Sequence, residues 1–221
     1  MTVLDRYHQT VTRTFRGRTV HLKPGVRGYP DLPPAAPLFE RHLPRLQGPV
    51  TDASGSAGLG LVAGGGAGAG GGLVVEPSFA ALRCSPLTLA GGDGAPEVSA
   101  VLPWELAAET SGTLLLAPPA DRGSARVEAE LQAAARALGP DGRLYLALHK
   151  DQGAKRYAKT AQQRFRSVET LARQGGWRLL EATGPLRAQE ESAGEGRPAT
   201  GAFEVGGLVV QALPGVHSPR R

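Results

Sequence analysis

Short apolar runs alternate along this chain with stretches of helical periodicity, and that alternation restricts the fold more than any other feature. Val50-Thr51-Asp52 reads as a strand end running into a glycine loop, and Gly72 to Val75 as a short strand ending in the acid Glu76. Gly112 to Ala117 is a fully buried strand stopped by Pro118 and Pro119, and Arg143 to Leu148 is another. Val98 to Leu102 and Trp177 to Ala182 read as further strands. Between them, Leu38, Phe39 and Leu43 suggest a short helix, and Ser78 N-caps a helix over 78–90 that Pro86 shortens. Val127, Leu131, Ala134 and Leu138 place one apolar face on a helix over 122–138. Tyr157, Ala161, Phe165, Val168 and Ala172 predict a long helix over 154–174, and Gly139-Pro140-Asp141-Gly142 predicts a turn. Strands alternating with helices imply an α/β fold with a central, mostly parallel sheet and helices on both faces. Ligands of such sheets sit beyond the carboxyl ends of the strands, here the segments after Asp52, Glu76 and Ala117.

Those ends carry the candidate chemistry. A nucleotide-type cofactor needs a tight glycine turn after the first strand and an acid at the end of the second for ribose hydroxyls. The order Asp52-Ala53-Ser54-Gly55-Ser56-Ala57-Gly58, then Glu76, has the spacing of a βαβ unit. This makes Asp52, Gly55, Gly58 and Glu76 the cofactor-binding candidates. The helix expected next is poor: Gly64, Gly65, Gly66, Gly68, Gly70, Gly71 and Gly72 crowd its course. Each glycine costs about 0.8–1 kcal/mol against alanine in a helix interior, so that helix is expected to be weak or locally loose.

One phrase occurs twice. Gly17, Val20, Pro24, Gly25 and Val26 recur as Gly207, Val210, Pro214, Gly215 and Val216, all at an offset of 190 residues. A fixed long offset is what two copies of one domain leave behind. The chain therefore reads as the first half of a duplicated protein. Residues 1–30 form a basic N-terminal arm and lead-in strand, 31–188 an α/β domain, 189–202 a polar linker, and 203–221 the start of a second, truncated copy.

The ordered set Lys23-Pro24-Gly25-Val26, Val50-Thr51-Asp52 with its glycine loop, Glu76, and Ala117-Pro118-Pro119 resembles class I S-adenosylmethionine-dependent methyltransferases. Within them it is most similar to the "methyltransferase small" family of bacterial 16S rRNA guanine-N2 methyltransferases. Leu213-Pro214-Gly215-Val216-His217-Ser218 is similar to the phrase that opens their catalytic domain. The resemblance implies a Rossmann-like fold, S-adenosylmethionine as the family's cofactor, ribosomal RNA as partner, and two tandem domains of which the first is degenerate. It spans roughly residues 17 to 182 and the tail. Two departures matter. In the family's Asp-x-Gly-x-Gly-x-Gly loop the first two glycines are Ser54 and Ser56 here, and only Gly58 is kept. The family's Asn-Pro-Pro-Phe loop is Ala117-Pro118-Pro119-Ala120, so the amide that orients the target amine and the aromatic that stacks on the base are both missing. The resemblance thus implies a chain without catalytic residues of its own, and leaves open whether it binds the cofactor.

Charge supports an anionic partner. The formal net charge is +5, with cations gathered over 1–27 and over 149–166. Arg16, Arg18, Lys150, Lys155, Arg156 and Lys159 are the RNA-binding candidates, because cations beside an aromatic such as Tyr157 suit phosphates and a stacked base. The single cysteine, Cys84, reads as structural and excludes an internal disulfide and a cysteine metal cluster, and no metal site is expected. His149 reads as a strand-end polar residue, and Trp104 and Trp177 as core or edge aromatics. No apolar run is long enough to span a membrane and the N-terminal residues have no signal-peptide apolar region, so the expected compartment is the cytoplasm and no membrane partner is expected. The reading is thus an N-terminal, non-catalytic domain that supports RNA binding and a missing C-terminal catalytic half. Its alternatives are a complete small active methyltransferase and a stand-alone RNA-binding module.

Overall fold

Leu114, Leu115 and Leu116 are all buried, yet they serve two different cores. Successive strand residues point to opposite faces, so a strand apolar at every position must be covered on both. A computed structural model describes residues 9–44, 46, 48–65, 72–76, 78–90, 96–99 and 102–186, with the backbone of 201–205 and 208–212. It places this strand, β6 (Ser111–Leu116), at the centre of a seven-stranded sheet. The other strands are β3 (Val50–Ala53), β4 (Gly72–Val75), β5 (Glu97–Ser99), β7 (Leu138–His149), β8 (Phe165–Gln174) and β9 (Trp177–Pro185). Their spatial order is β5-β4-β3-β6-β7-β9-β8. The first five run parallel, and β9 is antiparallel to both β7 and β8. The chain enters mid-sheet at β3, runs out to β5 and crosses back to β6, so the switch point lies between β3 and β6.

One face is covered by α1 (Ala35–His42), α2 (Leu59–Ala63), α3 (Phe79–Leu89) and the hairpin of β1 (Val11–Phe15) and β2 (Arg18–Leu22). Phe15, Val20 and Leu22 pack with Ala80, Ala81, Cys84 and Leu89, and the His21 N–H donates to Thr88 Oγ1 at 3.3 Å. The other face is covered by α4 (Ser124–Ala137) and α5 (Ala154–Gln162), through Val127, Leu131, Ala134, Tyr157 and Ala161.

Four local expectations are corrected. The helix beginning at Ala154 ends at Gln162, and 165–174 is β8. Gly175 and Gly176, at φ +55° and +83°, form a two-residue turn that pairs Gln174 with Trp177. That turn lets Phe165 and Val168 reach the core from a strand. Pro86 does not shorten α3, which continues to Leu89. The predicted turn at 139–142 is a bulge inside β7: Leu138 pairs with Ser111 and Arg143 with Thr113, so the extra residues loop out opposite Gly112. The strand expected over 98–102 is the three-residue edge strand β5, ending at Ser99.

The chain also builds one hairpin twice. β10 (Gly201–Val205) and β11 (Leu208–Ala212) pair antiparallel, with Gly201 opposite Ala212 and Val205 opposite Leu208. In the first hairpin Val11 lies opposite Leu22 and Phe15 opposite Arg18, the same register at the offset of the repeated phrase. The linker over 189–200, the phrase at 213–218 and the glycines at 66–71 lie outside the described residues.

Candidate functional site

The carboxyl ends of β3, β4 and β6 bring together Asp52, Glu76 and Ala117. Asp52 is 1% exposed and fully engaged. Its Oδ1 accepts from the Ser54 N–H at 3.0 Å, and its Oδ2 from the Leu61 N–H at 3.2 Å in the first turn of α2. Burial raises its pKa, and the Ser54, Leu61 and Gly60 hydrogen bonds oppose that rise. The two serines that stand in the glycine loop turn inward. Both are buried, the Ser54 hydroxyl donates to Asp52, and the Ser54 and Ser56 hydroxyls bond each other. The loop thus spends its polar groups on itself.

Glu76 lies under the same loop, 2% exposed. Its Oε1 accepts from Ser85 Oγ at 3.5 Å, while its Oε2 has no hydrogen-bond partner. Burial and the Asp52 charge push its pKa from 4.5 up to about 8, against the pull of the Ala57 and Gly58 N–H groups and Ser85. Ala57 and Gly58, at φ +55° and +79°, turn the loop down onto the acid.

At Ala117 the fold supplies a contact that no residue pattern announces. Arg27 follows the Lys23 to Val26 phrase, and its Nη1 donates to the Ala117 carbonyl oxygen. Burial lowers its pKa, and the charges of Glu130, Asp121 and Glu76 offset part of that. Glu130 is itself buried in α4, its carboxyl pushed up by burial and held at 2.9 Å by Arg126. The Arg126 guanidinium also sits 5.2 Å over the Trp104 ring. Beneath the 117–120 loop, therefore, lies a cation and acid network anchored in the lead-in segment. One sequence signal pointed to part of it: Arg126 and Glu130 stand four apart on a helix, with Glu130 beside the apolar Val127 and Leu131.

No protein-family model matches the sequence, and no curated protein matches it. Among solved structures, the chain is similar to T. thermophilus 16S rRNA N2 G1207 methyltransferase (RsmC) in complex with AdoMet and guanosine, at 30% identity and a TM-score of 0.76. The match covers 98% of this chain and 56% of that one. The fold is that of the class I methyltransferases. A second structural neighbour, P. horikoshii TYW2 in complex with MeSAdo, has 9% identity and a TM-score of 0.56, covering 78% of this chain and 69% of that one. The chain thus resembles a 16S rRNA guanine-N2 methyltransferase while spanning little more than half of its length.

The solved relative is in complex with AdoMet, and the residues here do not fit that cofactor in the described arrangement. The Ser54 and Ser56 side chains fill the loop interior, and Glu76 is sealed beneath it, out of reach of a ribose diol. Gly55 faces open space, while Gly58 packs against Leu89 rather than lining a cleft. The described residues hold no cluster of three metal-ligating side chains, and no helix among them is long and apolar enough to cross a membrane.

The cationic candidates separate. Arg16 turns back to cap α2, its Nη1 donating to the Ala63 carbonyl at 2.5 Å and the Val62 carbonyl at 3.2 Å. Arg18 is half-buried at the start of β2. Lys150 begins a 3-10 turn at the end of β7, its N–H bonded to the Gly176 carbonyl at 2.8 Å. Lys155, Arg156 and Lys159 are exposed together on α5. Cys84 is buried, and burial raises its pKa. His149 ends β7 with its ring edge-on to Trp177 at 5.2 Å.

Proposed function

We propose that this chain is the N-terminal, non-catalytic methyltransferase-like domain of an rRNA guanine-N2 methyltransferase, steadying a catalytic half and helping to hold RNA. The carrying observation is at Ala117. The residue offers no side-chain amide to orient an amine, and its carbonyl already accepts from Arg27. A target amine at that point would have to displace a buried guanidinium whose charge faces Glu130. The sealed Glu76 supports the same reading for the cofactor. The twice-built hairpin and the share of the relative that the chain spans support a second domain continuing from β11.

Titration calorimetry with S-adenosylmethionine tests this: no heat of binding is expected up to millimolar ligand, and micromolar binding overturns the non-catalytic reading. One observation favours a complete active methyltransferase instead, the unpaired Glu76 Oε2, which could accept from a ribose hydroxyl if the loop lifted. Methyl transfer to rRNA by the chain alone, lost in Glu76→Ala, is the result that would establish that alternative.

A further inference from the structure

On the face opposite the β1–β2 hairpin, α5 and the β8–β9 hairpin enclose an open groove of about 860 Å³. Lys155, Arg156 and Lys159 come from α5, and Arg178 reaches it from β9. Thr160, Gln162, Gln163 and Thr170 complete its polar lining, and no lining residue is acidic. Arg156 is paired with Glu128, and Lys155, Lys159 and Arg178 face no carboxylate in the lining, which leaves a positive surface for a partner's anions to neutralise.

Its details favour a chain of phosphates. Lys155 and Lys159 are one helical turn apart, about 6 Å along the axis, so they meet successive anions rather than one. Arg156 is held in place by Glu128 at 2.8 Å and lies 5.6 Å over the Tyr157 ring, which fixes its planar fork at the groove edge. The uncharged hydroxyls and amides between the cations suit phosphate oxygens and ribose hydroxyls.

We infer that this groove is a docking surface for the phosphate backbone of RNA, with Lys155, Lys159 and Arg178 as its neutralising contacts. The inference rests on the reading of the chain as part of an RNA-modifying enzyme, and it adds Arg178, which sequence spacing did not connect to α5. It also separates the groove from the N-terminal arginines, since Arg16 is committed to capping α2.

The test is fluorescence anisotropy of the full chain with a labelled 20-nucleotide RNA stem-loop, from 50 to 200 mM salt. Each neutralised phosphate contributes about 0.9 to the slope of log affinity against log salt. Lys155→Gln/Lys159→Gln/Arg178→Gln is expected to lower that slope by about 2 to 3 and to weaken binding at 50 mM salt by about 10- to 100-fold. Arg41→Gln, an exposed cation on α1 across the sheet, is expected to change neither. Because Arg178 is half-buried, Lys155→Gln/Lys159→Gln alone gives the result if the triple variant unfolds, with a slope lowered by about 2. Unchanged slope and affinity in these variants overturn the inference, as does absence of RNA binding at 50 mM salt or binding to poly-glutamate in its place. The cofactor titration fails separately: a chain that binds S-adenosylmethionine and still needs the groove for RNA loses only the non-catalytic reading.

Discussion

Replacing Glu76 by glutamine should change how stability depends on pH, in a direction fixed by the site. The folded carboxyl keeps its proton up to about pH 8, while the unfolded one loses it near 4.5. The folded pKa is therefore raised, and between these values the native state binds the extra proton. Stability falls as pH climbs through that window. Below pH 4.5 the acid is neutral in both states and costs nothing. At 1.36 kcal/mol per unit, the penalty is about 1 kcal/mol at pH 5, about 3 at pH 7 and level at about 5 above pH 9. Glu76→Gln cannot ionise, so the variant is expected to equal wild type within about 1 kcal/mol at pH 5 and to exceed it by several at pH 8. Asp52 and Glu130 titrate in the same direction through their own burial, so the informative quantity is the difference between the two proteins at each pH. Urea unfolding followed by tryptophan fluorescence at five values from pH 5 to 9 measures it. Parallel stability profiles for the two proteins would refute the picture of a sealed, protonated acid.

Two further substitutions probe the geometry around the site and the corrected hairpin. A methyl at Gly60 would stand 2.6–2.7 Å from all three carboxylate atoms of Asp52, which Ser54 and Leu61 already pin. Gly60→Ala is expected to cost about 2–4 kcal/mol in urea unfolding, and a loss under about 0.5 would show that Asp52 is free to move. At the turn, Gly175→Ala meets nothing within 4 Å and should cost only about 1–2 kcal/mol for its left-handed backbone, as its melting temperature would report. Gly176→Ala adds a contact at 2.7 Å with His149 Nε2 and should cost measurably more; equal losses would mean that the turn does not hold His149.

The parallel half of the sheet was legible because its signals are redundant. The run from Leu114 to Ala117 before Pro118 is apolar at every position, Ser78 does cap α3, with the Ala81 N–H at 3.5 Å, and the stripe from Val127 to Leu138 has one period. Residues 165–174 were misread because Phe165, Val168 and Ala172 satisfy a helical stripe and also face sheet cores from a strand. Gly175-Gly176, a two-residue hairpin signal, was the cue that decided between them. At the site, the departures from the resembled pattern were readable in Ser54, Ser56 and Ala117. What those positions contact was not, because the contact of Arg27 with Ala117 joins residues far apart in the chain and follows no local spacing.

The entry of the chain into the middle of the sheet has a kinetic meaning. β8 and β9 meet across a two-residue turn, so this hairpin closes through a short loop, while β7 pairs with β9 across the intervening α5 and β8. Val50 must instead find Thr113 after β4 and β5 have been made in between, and closing so long a loop is an entropic step that contacts repay only afterwards. The candidate site lies at that seam. β3 carries Asp52 to Glu76 through its pairing with β4, and its pairing with β6 sets both acids beside the Arg27–Ala117 contact, so the site joins groups from the two sides of one seam.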